Sequence, residues 1–161
     1  MIIIIESLIG ILLFTTLIVP LTLKNPLTSV GDYPPAIREK CIELGLIEKR
    51  EQRFTRADII RKGAALLVFV FAFTFILKQF NGADTFWEGF RDSYVIWLII
   101  DWYDALVLDC LWFCHSKKVR IPGTEYMEEY RDYNFHIRQS CIGMVLGLPA
   151  CLAVGVITAI L

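Results

Sequence analysis

The sequence has no C-x-x-C pair, no H-E-x-x-H helix and only 2 histidines in 161 residues, so the common fingerprints of thiol redox chemistry and zinc hydrolysis are missing. It has no excess charge of either sign: 16 basic and 17 acidic residues leave a net charge of −1, which removes the electrostatic footprint a nucleic-acid partner requires. Internal repeats and low-complexity tracts are absent, which excludes solenoids and compositional linkers.

Apolar residues are abundant. They make up 56% of the chain, and the mean hydropathy is +0.56, well above soluble domains, so lipid is the expected solvent and the bilayer the expected partner. The five cysteines, Cys41, Cys110, Cys114, Cys141 and Cys151, are an odd set, and four sit in apolar runs where a thiol acts as a small hydrophobe. Cys110 and Cys114 share a helical face one turn apart, which leaves a thiol pair as the alternative.

Ile2 to Leu23 is long enough at 1.5 Å per residue to cross a hydrocarbon core of about 30 Å. Its opening MIIIIES has no basic n-region, and it leaves through Pro20 without a small-residue cleavage site, so the helix is expected to be retained. The uncharged run Gly63 to Leu77 forms a second span, about 59–79, with Thr55 and Asp58 as a capping box and Asn81-Gly82 as a stop. Ser93 to Cys114 is the third, and Gln139 to Leu161, free of charge, is the fourth, kinked but not ended by Pro149. The expected fold is therefore all-α, a polytopic bundle of four transmembrane helices in a single membrane domain, 1–161.

Lys and Arg number nine between Lys24 and Lys62 and five between Lys117 and Arg138, against two between Lys78 and Arg91 and none before the first helix. That bias puts connections 24–58 and 115–138 in the cytoplasm and both termini outside it. In the first connection, Pro34-Pro35 followed by Ile37, Cys41 and Leu44 at helical spacing predicts a short amphipathic helix closed by Gly45. In the second, Pro122-Gly123 makes a turn, Thr124 is the expected N-cap, and a helical pattern runs on into the fourth span as a cytoplasmic extension.

The third span carries the chemistry, because DWYDALVLD places Asp101, Asp104 and Asp109 within it. A central Asp costs ~2.5–3.5 kcal/mol on an insertion scale, while each Leu, Ile, Val or Phe returns only ~0.3–0.6. With ten such residues the helix is marginal alone, so its carboxylates need partners, water or a proton. On an α-helix Asp101 and Asp104 lie about 60° apart, and Asp109 about 80° from Asp101. At that spacing in low dielectric the first two do not both ionise readily, so a shared proton is expected. Hydrogen bonding of the acids across helices, purely to hold the bundle, is the competing reading.

At the cytoplasmic rim, His115 faces the stripe Glu125, Glu129, Asp132 and His136, which lies on one face of an uninterrupted helix at steps of four, three and four. His115, Glu129, Asp132 and His136 then form a candidate site for a divalent transition metal, with a solvated acidic face as the alternative. Tyr126, Tyr130 and Tyr133 make a neighbouring stripe, read as interfacial together with Trp97 and Trp112, with the mid-span Trp102 and Tyr103 as exceptions. Glu6 is a rim acid of the first helix, and Gly143-x-x-x-Gly147, with Gly155, signals close packing, internal or between copies.

Three function classes fit these residues. One is binding or transport of a proton, cation or small cationic ligand at Asp101, Asp104 and Asp109 from the cytoplasmic side, in a homo-oligomer. Another is a membrane enzyme acting on a lipid or head group through the rim metal or with Asp109 as general base. The third is an accessory subunit whose buried acids pair with a membrane partner.

Overall fold

A computed structural model describes residues 2–49 and 56–161, with Ala57 and Asp58 as backbone only, so the Thr55/Asp58 capping box lies outside the described residues. All the regular structure among the described residues is helical. The α-helices are α1 (Ile2–Lys24), α2 (Pro35–Glu43), α3 (Arg56–Ile76), α4 (Phe86–Tyr103) and α5 (Tyr133–Ile160). Among the described residues, three stretches are long and apolar enough to cross a membrane: Ile2–Lys24, Ile59–Asn81 and Tyr133–Ile160. These are the first, second and fourth expected spans. Residues 93–114 are helical but acid-rich, and there α4 gives way to a π-helical segment, Asp104–Trp112. Exposed apolar side chains surround α3 from Ile59 to Val68.

The chain divides into two compact units, and α1, α4 and α5 contribute residues to both. The first unit comprises Met1–Gly10, Glu51–Asp101 and Ile142–Leu161. Its apolar core gathers Val70, Leu77, Ile96 and Val154. A ladder of small residues on α5 lets it run close to α4. Gly143 accommodates the Asp101 carboxylate and Gly147 the Trp97 indole, while Gly155 meets the Phe86 carbonyl and Gly89 of α4 receives Thr158. Trp97 Nε1 then donates to the Gly143 carbonyl at 3.2 Å, and Tyr94 donates to that of Met144 at 3.3 Å. The G-x-x-x-G signal is thus used inside the chain. A short π-helical segment, Leu77–Asn81, ends at Gly82, whose φ of 64° is left-handed, so the Asn81-Gly82 stop acts as expected. Helix α4 starts seven residues before the expected span because Thr85 and Glu88 cap it reciprocally. Backbone N–H donors, that of Asp84 foremost, hold the Glu88 carboxyl below its usual range.

The second unit comprises Ile11–Arg50 and Trp102–Cys141. Helix α2 buries Ile37 and Cys41 against Tyr33, Phe113, Val119 and Tyr130, while Leu44 at its end stays exposed. Burial pushes the Cys41 thiol up, away from reactivity. Gly123, at φ 86°, makes the expected turn. The helical extension expected beyond that turn is corrected. No continuous helix runs from Thr124: turns and a 3-10 segment, Glu128–Arg131, precede α5. Thr124 is buried and donates to the Ile121 carbonyl instead of capping a helix.

The reason is Tyr130. Its hydroxyl accepts from the Ile121 N–H at 2.9 Å and shares a 2.7 Å hydrogen bond with Thr124, and Arg120 stacks 3.9 Å over its ring. Tyr33 donates to the Val119 carbonyl at 2.9 Å beside it. An interfacial stripe would leave these rings wet, yet Tyr130 is fully buried and only Tyr126 and Tyr133 are exposed. Desolvation raises the phenol pKa values of both Tyr33 and Tyr130. Because the folded values are raised, this stabilisation is complete below the ordinary phenol range near ~10 and is lost as pH climbs above it. Alkaline melts should therefore show loss of this unit beginning above pH ~10. Tyr130→Phe should blunt that dependence while lowering neutral-pH stability by about 1–3 kcal/mol, since the Ile121 N–H loses its acceptor.

Candidate functional site

The chemistry of the second unit begins with the π-helical segment Asp104–Trp112. Such helices are rare beyond a single turn and recur at functional sites, because widening the turn costs packing that something must repay. Here the widening changes which acids share a face. On an α-helix, residues five apart are separated by about 140°. A π-turn closes its hydrogen bond between residues five apart, so it brings Asp104 and Asp109 to the same side. The α geometry taken from Asp101 to Asp109 therefore fails only from Asp104 onward. Asp101 has its carboxylate against the α5 backbone at Gly143.

Asp109 is held by His136. Its Oδ2 lies 3.0 Å from His136 Nδ1, with the imidazole 3% exposed and the carboxylate 31% exposed. Phe113 and Phe135 fix the ring edge-on, with centroids at 5.4 and 5.3 Å. An Nδ1–H donated to the carboxylate leaves the lone pair on Nε2, and Nε2 is buried without a hydrogen-bond partner. The result is a carboxylate with one lone pair committed and the others open to a cationic or N–H donor, held by a buried imidazole.

The remaining rim residues go elsewhere. Asp132 precedes α5 and its Oδ1 accepts from the Phe135 N–H at 2.9 Å, an N-cap. His115 is exposed and its Nε2 meets the Tyr133 hydroxyl at 3.0 Å. Glu129 is exposed in the 3-10 segment, and Glu125 accepts from the Gly123 N–H at 2.7 Å. The single stripe needed an uninterrupted helix, and the turns before Tyr133 break its phase. Among the described residues, no three His, Cys, Asp or Glu side chains gather as a metal ligand set.

One signal for this arrangement stood in the sequence. An Asp just before an apolar-periodic run is an N-cap, which places the start of α5 at Asp132, and from there His136 falls one turn inside the helix. The π-helical segment has no such signal. No family model, curated protein or solved structure matches the chain.

Proposed function

We propose that the chain is a multi-pass membrane protein that binds or transports a proton, a cation or a small cationic ligand at a carboxylate site open to the cytoplasmic side. Asp109 is its principal acid, with Asp104 on the same face and Asp101 preceding them in the chain. The observation that carries the reading is the Asp109–His136 pair: a partly open carboxylate oriented by a buried imidazole that keeps one nitrogen available. Acids kept in an apolar helical span, at an insertion cost of ~2.5–3.5 kcal/mol for each one at its centre, are functional by default. The three apolar helices, with residues 93–114 as a fourth crossing, and the basic-residue bias support four spans with both termini non-cytoplasmic. Because Gly143 and Gly147 are occupied by Asp101 and Trp97, an oligomer would form through another face.

Vesicles containing the purified chain and a pH-sensitive dye should respond to imposed gradients of protons, sodium, potassium or methylammonium more strongly than protein-free vesicles. Asp109→Asn should cut that response at least ~10-fold, the loss of about 1.4 kcal/mol of charge interaction. A wild-type response no greater than that of empty vesicles for every one of these ions would overturn the reading.

A further inference from the structure

The first unit holds a second acid, remote in sequence from Asp109 and His136. Glu6 lies a turn inside α1, and its Oε2 accepts from Asn81 Nδ2 at 3.1 Å. The other oxygens of both groups, Glu6 Oε1 and Asn81 Oδ1, are buried and have no hydrogen-bond partner. Two acceptors with no donor between them are a costly arrangement, about 1–3 kcal/mol for each group left unsatisfied. Bulk water does not repay it, because these atoms have no access to solvent.

The basic group in the same segment is already committed: Lys78 Nζ bonds Asp84 Oδ1 and the Thr158 carbonyl, each at 3.2 Å. Asn81 is also the last residue of the helical run from α3 through the Leu77–Asn81 π-segment. The carbonyls of a helix's last turn have no intrahelical donor and carry the negative end of its dipole, which favours a cation there. Both side-chain oxygens belong to groups already in contact through Glu6 Oε2 and Asn81 Nδ2.

We infer that Glu6 and Asn81 form a binding site for a monovalent alkali cation at the π-helical end of α3. Oxygen-only donors select a hard ion, and one carboxylate with one neutral amide balances a single positive charge. Interrupted helix ends that offer carbonyl oxygen beside a carboxylate are the arrangement in which membrane proteins hold such ions. The site shares no residue with Asp109 and His136, so it stands independently of the proposed function.

The test uses the full chain in detergent, melted at constant pH and ionic strength in lithium, sodium or potassium chloride against N-methylglucamine chloride. At least one alkali ion should raise the melting point saturably, by about 3 °C. Exchange of N-methylglucamine for that ion should shift a carboxylate stretch in the infrared difference spectrum, and 13C-glutamate labelling should move the band. Glu6→Gln should abolish the glutamate-labelled band shift and lower the melting response, whatever ion Asp109 itself binds. The labelled wild-type spectrum decides the matter even if Glu6→Gln does not fold. Equal melts in all four salts, a band unmoved by glutamate labelling, or a labelled band shift that survives in Glu6→Gln would each overturn the site. A band that answers to pH alone would also overturn it, by showing that the two oxygens share a proton.

Discussion

Gly155→Ala is expected to destabilise the first unit by about 3 kcal/mol, at the upper end of what overpacking costs. The added methyl would stand 2.8 Å from the Phe86 carbonyl oxygen and 3.0 Å from Phe90 Cβ. Neither contact can be relieved by a rotamer change, because one is backbone and the other begins a side chain, so α4 and α5 have to separate. Gly10 supplies the contrast. A methyl there meets Ile100 Cδ1 at 2.6 Å, the end of a flexible side chain that can swing away, so Gly10→Ala should cost far less. Gly63 has nothing within 4 Å, and Gly63→Ala should gain up to ~1 kcal/mol from helix propensity alone. Unfolding titrations of the three variants in mixed detergent should rank Gly63→Ala above wild type, then Gly10→Ala, then Gly155→Ala. A Gly155→Ala protein as stable as Gly63→Ala would refute the close approach of the two helices.

Helix length and apolar run were enough to place α1, α3 and α5, because each is a long stretch in which nothing but lipid or another helix suits the side chains. The packing of α5 was legible in part: glycines four apart announce a close neighbour but do not say which one. The partner is named only by what fills each notch, Trp97 at Gly147 and Asp101 at Gly143. The start of α4 was written in Thr85-x-x-Glu88. The charges between Glu88 and Asp92 masked it, because the uninterrupted apolar run begins only at Ser93.

The region from Asp104 to Tyr133 was the least legible, for two physical reasons. A π-turn differs from an α-turn by one inserted residue and has no compositional mark, so the angular arithmetic for Asp109 used the wrong pitch. The tyrosines looked interfacial because their spacing suits an exposed helical stripe. Tertiary hydrogen bonding overrode that pattern when the Ile121 N–H and Thr124 took the Tyr130 hydroxyl inward and left no α-helix between Gly123 and Asp132. Once the helix starts at Asp132, His136 and His115 part company, one toward Asp109 and the other toward Tyr133.

That separation leads to the second large effect, a coupling between Asp109 and His136 of about 1–2 kcal/mol in a double-mutant cycle. His136→Phe should fill most of the ring's space while removing the donor, and Asp109→Ala leaves a buried imidazole with neither nitrogen satisfied. A hydrogen bond to a charged group contributes about 1.5–3 kcal/mol, and the partial exposure of Asp109 puts each single loss near the lower figure. His115→Ala, at an exposed ring bonded to Tyr133, should stay within about 0.5 kcal/mol of wild type. A shared metal would behave otherwise: both histidines would matter, they would couple to each other, and a chelator would lower the melting point as their removal does. Coupling between Asp109 and His136 below about 0.3 kcal/mol would show the pair to be incidental. Asp109→Asn separates holding from binding, because its amide oxygen still accepts from His136 Nδ1 while the negative charge is gone. It should recover most of the stability lost in Asp109→Ala and none of the cation response, whereas recovery of both would move the charge requirement to Asp101 or Asp104.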